Sequence, residues 1–228
     1  KRTNDGNASS SSKLLWRGLM PIFGNSKIGN SCFVDSNALI GYPHSAELDL
    51  LENNSEQITG CEIGNNSKIR PGAIYSTAKV GNNTRTGHNF LIRENTVIGN
   101  NCLIGTNVVI DNNCIIGNDC SFQTGVYIPT GSKIGNRVFL GPNTTLTNDK
   151  TPLRTEYLLE KITIEDDVSV GANATLMPGI TLGEGSFVAG GAVVTKNVPA
   201  WHLAKGCPAI FIELPESLKK PNRLGKKR

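Results

Sequence analysis

The sequence has no run of 18 consecutive apolar residues, so we predict no helix that spans a membrane. The apolar stretch at residues 14–16 is too short for the hydrophobic core of a secretory signal. Aromatic residues make up only 6% of the chain, whereas glycine contributes 25 of its 228 residues. This composition indicates a backbone that turns often.

Histidine is also scarce. The three histidines, His44, His88 and His202, lie in three separate regions of the sequence. A zinc site needs ligands that converge on one ion at about 2.1 Å. We therefore predict no metal site within one chain, and only ligands shared between subunits keep that alternative open.

The positive charge of the chain, formally +4, lies outside its central part. Residues 1–19 carry a net +3 and residues 216–228 a net +5, so residues 20–215 carry −4. Because a nucleic-acid footprint lies on a folded face, we predict no nucleic-acid partner. We interpret residues 1–19 as a disordered leader, or as a remnant ahead of a native start at Met20, and residues 213–228 as a basic C-terminal tail.

Apolar residues recur at every sixth position over a long stretch. From Val80 to Leu146, eleven of twelve such positions are apolar, and Thr86 is the exception. The eleven are Val80, Ile92, Ile98, Ile104, Ile110, Ile116, Phe122, Ile128, Ile134, Leu140 and Leu146. The same spacing returns from Ile164 to Val194. A helix repeats every 3.6 residues and a strand every two, so neither explains this period.

Gly-Asn pairs add a longer period of 18 residues, beginning at Gly81, Gly99, Gly117 and Gly135. Both residue types tolerate the left-handed backbone region that a sharp corner needs. One corner type in every third hexad indicates three short strands per coil, with stacked strands about 4.8 Å apart. We therefore predict an all-β parallel β-helix of triangular cross-section over residues 20–212.

Two segments interrupt the repeat. The interval from Ile134 to Ile164 is one coil plus 12 extra residues, and we place an extruded loop at residues 148–161. A smaller excursion is predicted at residues 42–59, between the first and second coils.

Five of the six cysteines precede a repeat position by two residues. Since residues two apart on a strand share a face, we expect all five to fill the core as small apolar groups. They are Cys32, Cys61, Cys102, Cys114 and Cys120. Reduced thiols in this number favour a cytoplasmic location, and Cys207 falls outside the pattern.

Residues 24–212 resemble the hexapeptide-repeat transferase superfamily. The resemblance is carried by the repeats, by residues 178–183 and 193–199, and by Gly-Cys-Pro-Ala at residues 206–209. It implies a left-handed β-helix, a parallel homotrimer and coenzyme A bound in the groove between subunits. Residues 122–127, 139–142 and 147–154 narrow the resemblance to N-acetyltransferases of nucleotide-linked amino sugars.

This resemblance implies acetyl-CoA as cosubstrate and a sugar nucleotide as acceptor. Small residues would let pantetheine approach the backbone, and two lysines are candidates for its phosphates. These cofactor residues are Gly171, Ala172, Ala189, Gly190, Lys196 and Lys205.

Four further residues are candidates for the chemistry. Asn148 would donate to the oxyanion, and Asp149 would accept a proton or orient the amine. Gln123, expected about one coil below Asn148, would hold the substrate. His88 is a base or sugar contact that reaches the site only if the loop or a neighbouring chain bridges about 14 Å.

Two other interpretations stay open from the sequence. One is an O-acetyltransferase that acts on a sugar or small alcohol, for which His88 would serve as a necessary base. The other is a β-helix scaffold without enzymatic activity, which would not bind coenzyme A.

Overall fold

The computed structural model describes residues 21–156 and 158–224. Within them the chain winds into a parallel β-solenoid of about eight coils, each made of three short strands. The three flat sheets, called I, II and III here, are joined at corners I–II, II–III and III–I. This architecture confirms the predicted all-β fold class and is consistent with a left-handed β-helix.

Each sheet takes one strand from each coil. Sheet I contains β1 (Lys27–Ile28), β4 (Glu62–Ile63), β7 (Lys79–Val80), β10 (Val97–Ile98), β13 (Ile115–Ile116), β16 (Lys133–Ile134), β19 (Thr163–Ile164) and β22 (Thr181–Leu182). Sheet II contains β2 (Phe33–Val34), β5 (Lys68–Ile69), β8 (Arg85–Thr86), β11 (Leu103–Ile104), β14 (Ser121–Phe122), β17 (Phe139–Leu140), β20 (Ser169–Val170), β23 (Phe187–Val188), β25 (His202–Lys205) and β26 (Ile210–Glu213). Sheet III contains β3 (Leu39–Tyr42), β6 (Gly72–Tyr75), β9 (Phe90–Ile92), β12 (Val109–Ile110), β15 (Tyr127–Ile128), β18 (Thr145–Leu146), β21 (Thr175–Leu176) and β24 (Val193–Val194).

Both interruptions of the repeat leave the stack at corner III–I. After β3 the chain forms short 3-10 helices at Ser45–Glu47 and Ser55–Gln57, around one α-helix, α1 (Leu50–Asn53). After β18 no strand is formed among the described residues until β19. Strands β16 and β19 nevertheless pair in register, Lys133 with Thr163, so the stack continues past the second interruption.

The core is a column of inward side chains, because the second residue of each two-residue strand points inside. Ile104, Ile110 and Ile128 are fully buried. Four of the five predicted inward cysteines are buried, and Cys32, in the first coil, is half-buried. All six thiols are free and Cys207 is exposed. Burial raises the pKa of the Cys114 thiol to about 11.

Asparagine builds a hydrogen-bonded ladder along corner I–II. The side-chain Oδ1 of Asn100 accepts from the backbone N–H of Asn82 at 2.8 Å, and each coil repeats this contact. The acceptors, in order, are Asn65, Asn82, Asn100, Asn118, Asn136 and Asp166. Burial opposes ionisation of Asp166, but hydrogen bonds from Asn136 and the charge of Arg137 outweigh it and lower its pKa.

The C-terminal residues fold back along the solenoid. Strand β26 turns antiparallel to β25, and Leu214 after it is buried. Further on, the Asn222 side chain donates to the carbonyls of Arg137 and Asp167, and its Oδ1 accepts from Ser169 Oγ at 3.0 Å. This segment therefore covers part of sheet II at the sixth and seventh coils.

Among residues 21–156 and 158–224, no helix has the length and apolar character needed to cross a bilayer. The predicted leader, residues 1–19, lies outside the described residues.

Candidate functional site

Corner II–III carries one group of the predicted site residues. His88 lies at this corner in the third coil, where its backbone N–H donates to Thr106 Oγ1 at 3.3 Å, and its side chain is exposed. Gln123 lies at the same corner in the fifth coil and donates from Nε2 to Ser121 Oγ at 2.9 Å. Ala172 and Gly190 follow in the seventh and eighth coils. One corner therefore aligns these residues along the helix axis.

The glycines of this corner serve two different purposes. A Cβ on Gly171 would lie 2.5 Å from the backbone nitrogen of Gly190, so glycine is required there for the coils to stack. A Cβ on Gly190 would meet only the backbone of Ala172, at 3.2 Å, and one on Gly191 would meet nothing within 4 Å. The corner thus presents open backbone in the eighth coil. Exposed Lys205 lies directly above Ala189 at the same corner.

The loop at corner III–I carries the second group. The Asn148 carbonyl accepts from the backbone N–H of Glu160 at 2.8 Å, which closes the base of the loop. Asp149 Oδ1 accepts from the Thr151 backbone N–H at 3.0 Å. Lys150 and Glu160 form a salt bridge at 3.6 Å. The side chains of both Asn148 and Asp149 are half-buried, whereas Leu153 and Leu158 are 93% and 77% exposed.

Two glycines lie against the C-terminal end of this loop. A Cβ on Gly131, one coil below, would lie 3.2 Å from the Lys161 side chain. A Cβ on Gly179, one coil above, would lie 2.3 Å from the Glu160 carboxylate. Both glycines have positive φ angles at corner III–I, so the loop is held between tight turns of its two neighbouring coils.

A polar network that the sequence analysis missed lies below the loop on corner III–I. Glu94, only 9% exposed, accepts from Arg93 at 2.9 Å and from Asn112 at 3.1 Å. Thr130 Oγ1 in turn donates to Asn112 Oδ1 at 2.6 Å. Burial disfavours the Arg93 cation, but the hydrogen bond and charge of Glu94 outweigh it and raise the Arg93 pKa. The sequence contained a signal for this network, because Glu94, Asn112 and Thr130 are spaced 18 residues apart and therefore share a corner.

The structure does not bring the two groups together within one chain. Gln123 lies about one coil lower than Asn148, as expected, but it is at corner II–III and therefore not beneath Asn148, which is at corner III–I. The residue one coil below Asn148 is Thr130, and a strict count of 18 would have found it. Lys196 is likewise at corner III–I, on the opposite edge of sheet III from Lys205. No cluster of metal-binding side chains is found in the part of the chain that the structure describes.

Two protein-family models match the repeats of this chain. The family model for the bacterial transferase hexapeptide (six repeats) covers residues 77–112 and 113–148, and that for the hexapeptide repeat of succinyl-transferase covers residues 161–196.

Individual relatives match parts of the chain. A Schizosaccharomyces pombe protein named as a candidate acetyltransferase is 45% identical over 83 residues, 33% of this chain and 40% of that protein. The Staphylococcus aureus 2,3,4,5-tetrahydropyridine-2,6-dicarboxylate N-acetyltransferase is 48% identical over 52 residues, 23% of this chain and 22% of the enzyme. The chain therefore spans less than half the length of either protein.

A solved structure supports the fold. LpxA from Bacteroides fragilis, a UDP-N-acetylglucosamine acyltransferase, superposes with a TM-score of 0.55 at 21% identity, over 84% of this chain and 71% of that chain. The repeats, their corners and the matching family models together show that residues 77–148 and 161–196 are hexapeptide repeats of the transferase type.

Proposed function

We propose that the protein transfers an acetyl group from acetyl-CoA to the amino group of a nucleotide-linked amino sugar, in sites shared between the subunits of a homotrimer. The names of the relatives support acetyl transfer, and that of the Staphylococcus aureus enzyme supports transfer to nitrogen. The motifs at residues 122–127 and 147–154 support the sugar nucleotide. The six free thiols support a cytoplasmic location.

The outward face of sheet III is suited to contact other subunits. Its eight outward positions carry no charge and are all half-buried: Leu39, Ala73, Leu91, Val109, Tyr127, Thr145, Thr175 and Val193. Sheet I presents four charged side chains at the equivalent positions: Lys27, Glu62, Lys79 and Lys133. Sheet II presents two, Lys68 and Arg85, and is partly covered by the C-terminal segment. Because interface cores are depleted of charge, sheet III is the face that would turn toward a three-fold axis.

The observation that carries the proposal is the position of the two residue groups on the two edges of sheet III. With three copies around an axis, corner III–I of one subunit lies beside corner II–III of the next. Asn148 and Asp149 then face Gln123 and the open backbone at Gly190 of the neighbouring chain. The exposed side chains of Leu153 and Leu158 would also be covered.

The chemistry then needs few protein groups. The sugar nitrogen attacks the thioester carbonyl carbon, the C–S bond breaks, and coenzyme A leaves as the thiolate that takes up a proton. Asn148 Nδ2 would donate to the oxyanion, a contribution of about 3 kcal/mol. Asp149 would accept the ammonium proton, and proximity supplies roughly 7–11 kcal/mol. Lys205, and Lys196 of the neighbouring chain, would contact the phosphates of coenzyme A at the upper end of the groove.

A subunit-mixing experiment tests the shared site. Asn148→Ala removes the loop donor, and Gly190→Trp fills the cofactor corner. Gly190 has no positive φ, and its Cβ would lie 3.2 Å from the Ala172 carbonyl oxygen, so the substitution needs a shift of only a few tenths of an ångström. Each variant alone is expected to be nearly inactive. Co-refolding them in equal amounts should restore about a quarter of the wild-type sites by random three-fold association. Activity is measured as thiol release from acetyl-CoA with UDP- and TDP-amino sugars.

The control is a second variant with both changes in one chain, mixed with either single variant. A double variant mixed with Asn148→Ala has no complete site and should stay inactive. If the mixed single variants remain inactive while their trimers form, the site lies within one chain and the proposed arrangement is wrong.

A charge on sheet III is expected to break the assembly. Val109→Lys would bury three unpaired ammonium groups near the axis, each at a cost of several kcal/mol, so the trimer should dissociate. Sedimentation velocity should show a trimer for the wild type and a folded monomer for this variant. Ile115→Lys, on the already exposed face of sheet I, is the matched control and should stay trimeric. A trimeric Val109→Lys protein would place the interface elsewhere.

A further inference from the structure

The first of the two insertions at corner III–I is strongly acidic. This segment, residues 43–59, is called the first loop below, and it contains neither lysine nor arginine. Its four carboxylates belong to Glu47, Asp49, Glu52 and Glu56. The later insertion, residues 148–161, carries three acidic and three basic residues, so its charges balance. Only the first loop therefore places a concentrated negative charge beside the solenoid, at its N-terminal end.

One carboxylate fastens the first loop to the stack. Glu47 accepts hydrogen bonds from the backbone N–H and Oγ1 of Thr59, at 3.1 and 2.7 Å, and from Ser76 Oγ. Ser76 is buried and directly follows β6, so this contact ties the loop to corner III–I in the second coil. Burial opposes ionisation of Glu47, but the hydrogen bonds from Ser76 and Thr59 outweigh it and lower its pKa. The loop is thus held at the height of the second coil.

The other three carboxylates of the first loop point to solvent. Asp49, Glu52 and Glu56 are exposed. None of them forms a salt bridge with any residue in the part of the chain that the structure describes. Leu48, beside Asp49, is 42% exposed. The first loop therefore offers three carboxylates and one apolar side chain to a partner.

A cluster of cations lies on the other side of sheet III, at a similar height. Lys68 and Arg85 are Cα partners on adjacent strands of sheet II, and Arg70 follows at corner II–III in the second coil. All three side chains are exposed. Within residues 21–156 and 158–224 no acidic side chain forms a salt bridge with them. Like charges on neighbouring strands repel, and anionic groups from outside the subunit would relieve that repulsion. These three residues are called the lower cationic patch.

The backbone holds Arg70 in place within this patch. Corner II–III is one residue short in the second coil, since the inward residues Ile69 and Ile74 are five positions apart, whereas Thr86 and Ile92 are six apart. At the short corner the Arg70 backbone N–H donates to Thr86 Oγ1 at 2.8 Å, and its guanidinium donates to the Thr86 carbonyl at 2.5 Å. The one polar exception in the six-residue repeat therefore fixes the position of a surface cation.

The proposed trimer brings the two charged surfaces together. Within one chain they lie at opposite edges of sheet III, but corner III–I of one subunit lies beside corner II–III of the next. Parallel subunits related by a three-fold axis have equal coils at equal heights. The first loop is held at the second coil, and the lower cationic patch occupies the second and third, so the two differ in height by at most about one coil spacing, 4.8 Å.

We infer that the first loop of each subunit docks on the lower cationic patch of its neighbour, forming three equivalent electrostatic clamps at the lower end of the trimer. The partner is a second copy of this chain, because the exposed carboxylates of the loop equal in number the cations of the patch. Opposite charges across an interface fix its register and exclude wrong partners. This inference rests on the subunit arrangement of the proposed function and is independent of the identity of the acceptor.

Charge reversal tests the clamp. Asp49→Lys combined with Glu52→Lys should raise the protein concentration at half-assembly about 10- to 100-fold, because like charges would then meet across the interface. Lys68→Glu combined with Arg85→Glu should have a similar effect for the same reason. All four changes in one chain restore opposite signs and should recover most of the loss. Sedimentation velocity over a dilution series at low ionic strength measures each assembly.

The control reverses the same number of cations on another face. Lys27→Glu combined with Lys133→Glu changes two exposed residues of sheet I and should leave assembly at the wild-type level. Failure of the fourfold variant to assemble better than either double variant would overturn the inference, since the two surfaces would then not face each other.

Zero-length cross-linking tests the contact directly. Carbodiimide joins a lysine amine to a carboxylate that touches it, so the wild type should give covalent dimers and trimers in which Lys68 is linked to Asp49 or Glu52. Lys68→Arg keeps the charge but has no amine, and this linkage should disappear while the trimer persists. A linkage of Lys68 to the first loop found only in the monomer band, or no such linkage at all, would overturn the inference.

Two further results separate the clamp from the proposed function. If the linkage and the charge exchange are found but no amino-sugar nucleotide is acetylated, the clamp stands and the proposed reaction fails. If mixed subunits acetylate the sugar nucleotide but reversal of the loop charges leaves assembly unchanged, the reaction stands and the clamp fails. Calorimetry covers the remaining occupant. Inorganic diphosphate that binds the assembled trimer through Lys68 and Arg85 would show an open patch and overturn the inference.

Discussion

Asn148→Ala is expected to lower kcat by about 10²–10³-fold, the usual contribution of one oxyanion donor. His88→Asn should lower kcat by less than about tenfold. An unprotonated amine attacks a thioester without a base, whereas removing an essential general base costs roughly 10²–10⁴-fold. The measurement is the initial rate of thiol release at saturating sugar nucleotide, over a range of pH.

Asn148→Asp is the matched variant, because it keeps the shape of the side chain and replaces the donor by a carboxylate. It should be at least as impaired as Asn148→Ala. A thousandfold loss in His88→Asn, with Asn148→Ala nearly normal, would reverse these roles. That result would favour a hydroxyl acceptor, which must lose its proton as it attacks.

Replacing residues 149–160 with a short Gly-Ser turn is expected to abolish most activity while the solenoid stays folded. The fold should survive because Lys133 and Thr163 pair in register across the insertion, so a standard coil remains after its removal. Activity should fall by at least about 10²-fold, since Asp149 is lost and the Glu160 N–H no longer holds the Asn148 carbonyl.

Circular dichroism and the thermal unfolding midpoint check the fold, and thiol release checks the activity. Thr155→Ala, an exposed change in the middle of the same loop, is the control and should leave both near the wild-type values. An unfolded deletion variant would mean that the loop supports the stack, contrary to the register of its flanking strands.

The coil architecture is predictable from the sequence because its causes are local. An inward position every six residues and a Gly-Asn corner every 18 define three strands and their stacking, whatever the rest of the chain does. The inward orientation of Cys102 and Cys120 follows from the same count. Those features depend only on the alternation of side chains along a strand.

Features that depend on a specific corner were harder to predict. Gln123 and Asn148 differ by 25 residues, which is not a multiple of 18, so they lie at different corners although their heights along the axis are similar. The network around Glu94 also requires the corner to be tracked through several coils. Thr86 was visible in the sequence as an exception to the six-residue apolar repeat. The hydrogen bond that its Oγ1 accepts from the Arg70 backbone N–H depends, however, on a second coil that is one residue short.

The contacts between the C-terminal segment and the solenoid could not be predicted from the sequence. Its lysines and arginines suggest only a basic tail. The docking of Asn222 depends on the carbonyls of Arg137 and Asp167, which are more than 50 residues away in sequence. Contacts of this kind have no periodic signal, because they join an irregular segment to one particular corner.

The repeated ladder at corner I–II fixes the spacing of the coils along the solenoid axis. From the first coil to the seventh, neighbouring coils are joined by the same corner contact, with Asp166 in place of asparagine at the last step, so the stability of this stack is close to a sum of neighbour terms. Whole coils could then be gained or lost without leaving buried polar groups unpaired. The axial distance between His88 and Asn148 can change only in steps of one coil, about 4.8 Å. Two sites in different coils are therefore separated by a whole number of coils, and related proteins that differ in this separation would differ in length by a multiple of about 18 residues.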